Sequence, residues 1–285
     1  MAEQSEYFYT TKHEEKTGIG IIIREHKGQG KKILRLSVSH LVKKYKGALL
    51  GPLWAVIKPS FTLFILWFAF DIGIRGSGTV DGYPRFVFML TGYVPWFYIS
   101  EAILGGARSI RNNRQYVTKL SFPMSNIMTF TNLSALFVHF ILCIIMYVVL
   151  IVMGYCPGIY NIQFFYYCVL MFVFFWILTW TTAPMAAFSI DFENLVSSIM
   201  TGMFWLSGIV WNTYTVENDT IRRIMYFNPI NYFVNGYRKT FLYGEFIFER
   251  KYMWENIIFF TEMIILIFLG SHFYKKLRKL IPDVL

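Results

Sequence analysis

Residues 125–153, SNIMTFTNLSALFVHFILCIIMYVVLIVM, run for 29 positions without one Asp, Glu, Lys or Arg. A hydrocarbon layer of ~30 Å is crossed by about 20 helical residues rising roughly 1.5 Å each, so this stretch is long enough to span one. Backbone N–H and C=O groups find no water there and must bond within the segment, which excludes the open edges of a sheet. The stretch therefore predicts a membrane-crossing helix. Working outward, similar runs lie near 51–74, 86–106, 162–185, 196–214 and 256–274. Together these six predict an all-α membrane protein. A chain of 285 residues that is 55% hydrophobic, 20% aromatic and only 15% charged is too apolar for a soluble domain of this size.

The net charge of +10 invites a nucleic-acid reading, but the cations are segregated. They crowd residues 1–50 (Lys12, Lys16, Lys43, Lys44 and Lys46 among them), the interval Arg108, Arg111, Arg114 and Lys119, and the end of the chain at Lys275, Lys276, Arg278 and Lys279. Six spans place all three groups on one side, whereas the opposite side carries Arg75 and Arg85 and a scatter through 215–252. The positive-inside bias then puts both termini in the cytoplasm and the protein in the cytoplasmic membrane. The turn near Asp191 and Glu193 is acidic and is the weakest point of this topology. The first fifty residues are polar and charged, so no secretory signal is read and the first span is expected to direct insertion.

Three regions are expected: a cytoplasmic tail with an interface helix at 1–50, a six-helix domain at 51–274 and a basic cytoplasmic end at 275–285. In 31–46, KKILRLSVSHLVKKYK, apolar and basic residues interleave at a spacing close to that of an amphipathic helix lying in the headgroup layer. Pro95 and Pro184 fall inside spans, where proline removes a hydrogen bond and bends are expected; Pro52 and Pro59 mark the start of the first span. Residues 215–252 are too aromatic for a solvated loop and too broken by Asn-Pro and Asn-Gly for a span. Two short re-entrant helices on the outer side fit them.

Motifs for chemistry are sparse. GIGIIIREHKGQGKK has Glu25 where a phosphate loop needs its first glycine and Lys32 where it needs Ser or Thr, so this chain is not expected to hydrolyse ATP. Cys143, Cys156 and Cys168 form no C-x-x-C, and His40, His139 and His272 stand apart from any metal-ligand spacing, so no metal is expected. His139 is either satisfied by a neighbouring helix or functional. Lys58, Glu101 and Glu262 are ionisable groups inside spans and so functional candidates. Lys58 either snorkels to the headgroups or meets an anionic lipid headgroup. Trp54, Phe61, Phe64 and Phe68 in the first span and Phe204 and Trp211 in the fifth either pack against helices and lipid or line a path for a sugar-rich chain.

KYKGALLGPLWAVIKPSF (44–61) resembles the opening of permease subunits of ABC-2-type polysaccharide exporters, although most members have Asn-Pro where this chain has Lys58-Pro59. FDIGIRGSGTVDGYP (70–84), AILGGARSI (102–110), KLSFPMS (119–125) and NPINYFVNGYR (228–238) are similar to the membrane subunit of the wall teichoic acid exporters of Gram-positive bacteria. The resemblance implies a homodimer of six-span permeases working with two copies of a separate ABC ATPase subunit, which would hold ATP and Mg. The cargo implied is a diphosphate-lipid-linked wall teichoic acid; O-antigen or capsular polysaccharide export is the alternative.

It further implies that 108–123 contains a coupling helix for the ATPase, with contacts from Arg108, Arg111, Asn112, Asn113, Arg114 and Gln115; a basic loop that only holds topology is the plainer reading. Lys43, Lys44, Lys46 and Lys58 would gather the lipid headgroup. An outer gate is implied at Asn228, Pro229, Tyr232, Tyr237 and Arg238. A passive channel, or a membrane-embedded glycan- or lipid-modifying enzyme using Asp191 and Glu193, is the rival from another class.

Overall fold

The computed structural model describes residues 17–74, 78–120, 122–156 and 158–285. The expected tail with Lys12 and Lys16, Arg75 and its two following residues in the outer loop, and Ser121 lie outside the described residues. Two helices, α1 (Gly18–His26) and α2 (Gly30–Lys44), precede the first span. That span runs from Gly51 to Gly73 as a 3-10 turn holding Pro52, α3 (Trp54–Trp67) holding Pro59, and a π-helical turn. A hairpin of β1 (Thr79–Val80) and β2 (Tyr83–Pro84) follows, its antiparallel register pairing Val80 with Tyr83. Asp81 and Gly82 both have positive φ, the conformation of the tight two-residue hairpin turn.

The remaining helices are α4 (Arg85–Asn112), α5 (Arg114–Thr118), α6 (Met124–Val152), α7 (Gln163–Phe188), α8 (Ile190–Leu206), α9 (Asp219–Met225), α10 (Pro229–Arg238), α11 (Met253–Leu277) and the short α12 (Ile281–Val284). Among the described residues five helices are long and apolar enough to cross a membrane: Gly51–Gly73, Arg85–Asn112, Met124–Val152, Ile159–Phe188 and Arg250–Leu277. The chain is a multi-pass, mostly helical membrane protein. Helix α4 is its spine, packed on α6, α7, α10, α3 and α8. One apolar cluster joins Tyr93, Phe174, Phe175, Phe233 and Phe259; a second joins Ile22, Ile33, Ile110, Phe122, Trp180 and Tyr274 at the end where α1 and α12 meet the bundle.

Two expectations need correction. The second span does not stop at 106, because α4 continues through the glycine pair Gly105-Gly106 to Asn112, carrying Arg108 and Arg111 on its own surface. Gly106 is required by close approach, since a Cβ there would stand 2.3 Å from Thr179 Cγ2. The fifth apolar run is not a helix over 196–214. Ser189 accepts from the Phe192 N–H and caps α8 at its start, with Asp191 and Glu193 favourably placed in the first turn against the helix dipole. The expected acidic turn is thus the first turn of a helix. That helix has 17 residues, about 25 Å, and ends where Gly208 takes a φ of +60°. Of the apolar residues beyond it, Ile209 is buried in the bundle and Val210 and Trp211 are half-buried. Hydropathy reads them as membrane because core and lipid reward the same side chains.

The expected amphipathic segment is α2, with Ile33 and Ser37 turned into α6 and Leu34, Val38 and Val42 forming a separate exposed apolar stripe at four-residue spacing. Pro95 and Pro184 lie inside helices that continue past them. Two short helices do occupy 215–252. Asn228 caps α10 with Pro229 at its first position, and every residue of α10 from Ile230 to Arg238 is buried.

Gly236 faces Tyr167 so closely that a Cβ would come within 2.2 Å of the ring. Gly236→Ala is expected to destabilise by about 1–3 kcal/mol through overpacking, read as a lower unfolding midpoint in detergent. Gly202→Ala on the open face of α8 meets nothing within 4 Å and is expected to be neutral or to stabilise by up to about 1 kcal/mol.

Candidate functional site

The basic interval divides by helical phase. Arg108 and Arg111, three positions apart on α4, turn toward the junction of α7 and α8: Arg108 Nε lies 2.7 Å and Arg111 Nε 3.9 Å from the carboxylate of Glu193. The Arg111 guanidinium also donates to the Ala186 carbonyl and, at 3.3 Å, to that of Ala187, the open end of α7. Asn113 is buried and donates to the Ser109 carbonyl at 2.8 Å, closing the break between α4 and α5. Ile110, Val117 and Phe122 anchor the back of this turn in the apolar cluster. Facing outward are Asn112, Arg114, Gln115, Thr118, Lys119 and Leu120, the last 66% exposed. Of the six residues expected to touch a partner, three therefore form an exposed ledge and three hold it in place.

Toward α2, Lys44 Nζ pairs with Glu101 on α4. The intramembrane carboxylate thus has a cation beside it, a partner that spacing in sequence did not reveal. Lys43, Lys46 and Lys58 are exposed. His40 Nδ1 sits 3.1 Å from Ser134 Oγ, and burial, reinforced by Lys44, lowers the imidazole pKa so that it stays neutral near pH 7. Glu262 is half-buried on α11, one of its oxygens lacking a hydrogen-bond partner among the described residues.

Trp54, Phe61, Phe64 and Phe68 are exposed along the first span. Phe204 is half-buried against Trp96, ring centres 5.5 Å apart. Trp211 lies beyond the end of α8 and donates to the Trp205 carbonyl at 2.8 Å. Trp205, overlooked in the sequence, is 52% exposed and meets Phe70 at 6.3 Å, which puts the first span and α8 on one side of α4.

Of the residues expected to form an outer gate, Tyr232, Tyr237 and Arg238 are buried and Asn228 and Pro229 are half-buried. Tyr232 stacks on Phe259 at 4.0 Å and donates to Asn256 at 2.9 Å. The Tyr237 hydroxyl lies 2.6 Å from His139 Nε2, which gives the lone histidine of α6 a structural partner. Arg238 is wholly buried, donating at 2.7 Å each to the Gly208 and Ile209 carbonyls, its guanidinium 3.5 Å from the centre of the Phe88 ring. Asn228 donates to Ser207 Oγ at 2.9 Å. In this conformation Tyr232, Tyr237 and Arg238 find polar partners inside the protein. Neighbouring Lys239 is also buried, 2.8 Å from Glu255 Oε2 and over the Tyr252 ring; burial lowers its pKa and Glu255 raises it in part. The hairpin is fastened to the same region, Asp81 accepting from Asn212 and, at 2.7 Å, from the Tyr243 hydroxyl.

Asp191 and Glu193 do not make a paired acid site, since Glu193 is held by Arg108 and Arg111. Compared with known proteins, residues 32–242 match the family model described as ABC-2 type transporter. The chain belongs to the ABC-2 type transporter family.

In this ABC-2 family the chain is a transmembrane subunit and not itself the ATPase. It is 25% identical over 214 residues to an "O-antigen export system permease protein RfbA" of Myxococcus xanthus, covering 73% of this chain and 79% of the relative. It is also 26% identical over 246 residues to a protein of the same name from Klebsiella pneumoniae, covering 85% and 90%. Both relatives are named for O-antigen, not teichoic acid.

Two stability outcomes follow for this ABC-2 subunit. Arg111→Ala should cost about 2 kcal/mol by leaving the carbonyls at the end of α7 without their donor, Glu193 keeping Arg108, whereas Arg114→Ala on the ledge should stay within about 0.5 kcal/mol. Arg238→Ala should cost about 3 kcal/mol or more, and Arg238→Lys should not restore the loss because an ammonium cannot span two carbonyls and a ring. Thermal unfolding in detergent, with intrinsic tryptophan fluorescence as readout, checks both.

Proposed function

We propose that this chain is the permease of an ATP-driven exporter that carries a lipid-linked polysaccharide outward across the cytoplasmic membrane. Two such chains would assemble with two copies of a separate ATPase subunit that binds ATP and Mg. An O-antigen-type polymer is the favoured cargo, because the relatives that align with most of the chain carry that name. Wall teichoic acid, implied by the strings at 70–84 and 228–238, ranks behind it.

The observation that carries the mechanism is the ledge. Asn112, Arg114 and Gln115 present amides and a cation outward, and directly behind them Arg108 and Arg111 grip the joint between α7 and α8. An ATPase closing on this ledge, with both termini on the same cytoplasmic side, would displace α4 and that joint together rather than bend a loose loop. Helix α8 and the first span, whose exposed aromatics share one side of α4, would separate or slide and give the sugars faces to stack on. Lys43, Lys46 and Lys58, with Lys44 bound to Glu101, would raise the local concentration of the anionic headgroup. The residues around Tyr232, Tyr237 and Arg238 would seal the outer end in the resting state and open only if α10 moves as a body.

Reconstitution with the cognate ATPase in vesicles holding the lipid-linked polymer tests this. A chain with Asn112→Ala, Arg114→Ala and Gln115→Ala is expected to keep its unfolding midpoint while ATP-dependent export falls about tenfold, equivalent to roughly 1.4 kcal/mol of coupling. Export at the original rate would remove the ledge from the mechanism.

A further inference from the structure

Immediately after α10 the chain makes a π-helical turn, Lys239–Tyr243, that ends at Gly244 with a φ of +61°. Its first residue, Lys239, is 2% exposed and pairs at 2.8 Å with Glu255, 7% exposed and near the start of the span Arg250–Leu277. The same carboxylate oxygen, Oε2, accepts from the Tyr214 hydroxyl at 3.0 Å. One buried oxygen thereby joins three segments: the turn after α10, the 3-10 turn Thr213–Thr215 and the first turn of α11. The Lys239 ammonium also lies 3.3 Å from the centre of the Tyr252 ring, whose hydroxyl donates to Glu245. Nearer the surface, half-exposed Lys251 pairs with that same Glu245.

We propose that the Lys239–Glu255 pair is a releasable latch that holds α10 closed against α11, with the π-helical turn as its hinge, a role that rests on the reading above in which the outer end opens by movement of α10. Desolvation of two buried charges offsets most of their attraction, so such a pair is often no more stabilising than two apolar side chains of similar size. What sets it apart is the reverse step. When the partners separate into water each recovers its hydration, whereas two apolar side chains would lose by exposure, so the pair holds the closed arrangement without forbidding the open one. The stack of Tyr232 on Phe259 joins the same two helices and favours closure alone. The hinge follows from the turn itself: its i→i+5 bonds are looser than those of an α-turn, and such turns concentrate at functional sites. Lys239 stands at its first position, so the latch acts where α10 meets that slack.

Hydrogen exchange of the full-length protein in lipid nanodiscs, read by mass spectrometry over residues 230–244, tests the latch. Glu255→Gln removes the charge and keeps the shape; exchange there should quicken about tenfold while the amides of α4 and α6 keep their rates. Lys239→Met with Glu255→Leu replaces the pair by apolar side chains and should slow the same amides about tenfold below the parent. Lys251→Gln, at the half-exposed pair with Glu245, should leave them unchanged. Parent rates in the Glu255→Gln chain, or an equal quickening in α4, would overturn the latch, the pair then being inert or a general stabiliser. Quickening by Lys251→Gln to the same degree would overturn it too. Glu255→Gln decides the matter by itself, and the apolar pair adds the opposite sign that a merely structural contact does not give. ATP-dependent export by the same chains separates the latch from the reading it rests on. Exchange as expected with export unchanged supports the latch and removes α10 movement from transport, whereas unchanged exchange removes the latch and leaves the exporter.

Discussion

A helix that ends inside an apolar bundle leaves carbonyl oxygens that water cannot reach, and this chain supplies them with arginines. Arg111 donates to Ala186 and Ala187 at the end of α7, Arg238 to Gly208 and Ile209 just past the end of α8, and Arg85, at 2.6 Å, to Phe70 in the last turn of the first span. Each guanidinium is a fixed fork of donors with no acceptor of its own, and each meets the negative end of a helix dipole. Because Arg85 and Arg111 both stand on α4, and Arg238 sits above its Phe88, three helix ends are indexed to one spine.

That indexing makes α4 the natural line of transmission. Its 28 residues extend about 42 Å, with the hairpin and Arg85 at one end and the grip on Glu193 at the other. A load applied at Asn112 cannot be absorbed by a flexible connector, because Asn113 and the Phe122 N–H to Tyr116 carbonyl bond close the turn on both sides of α5. The same helix holds Glu101 against Lys44, so the interface helix α2 is fastened to it as well. The ledge, the α7–α8 joint and α2 are thereby all fastened to α4.

Segment length and apolar content were enough to read five spans from the sequence to within a few residues at most ends, because a helix in lipid has no other way to satisfy its backbone. At α8 the same signal found the helix and misplaced its ends: it starts at Ile190 and stops at Leu206, and the apolar run from Ile209 to Trp211 belongs to the turn that Gly208 makes possible. The cationic interval was legible as a feature and not as a geometry. Whether α4 stops near 106, as the apolar run does, or continues to Asn112 decides the phase of Arg108 and Arg111. The two short helices of 215–252 were legible from Asn-Pro and aromatic density, yet the burial of α10 was not, since arginine usually faces water. Pairs such as His139 with Tyr237 and Lys44 with Glu101 join residues far apart in sequence, and no local pattern encodes them.

The two adjacent buried cations show why residue type matters beyond charge. At position 238 the environment offers two carbonyls and a phenyl face, with no carboxylate in hydrogen-bond contact. A planar, delocalised and weakly hydrated cation suits that setting, since it bonds in its plane and stacks through its face. At position 239 the environment offers one carboxylate, Glu255, with a ring beneath it, and a compact ammonium meets both. With the two residues exchanged, a guanidinium at position 239 would keep unsatisfied N–H groups, and an ammonium at position 238 could not hold the Gly208 turn. The order Arg-Lys, uninformative as a string, is thus fixed by helix phase: position 238 faces α4 and the end of α8, and position 239 faces α11.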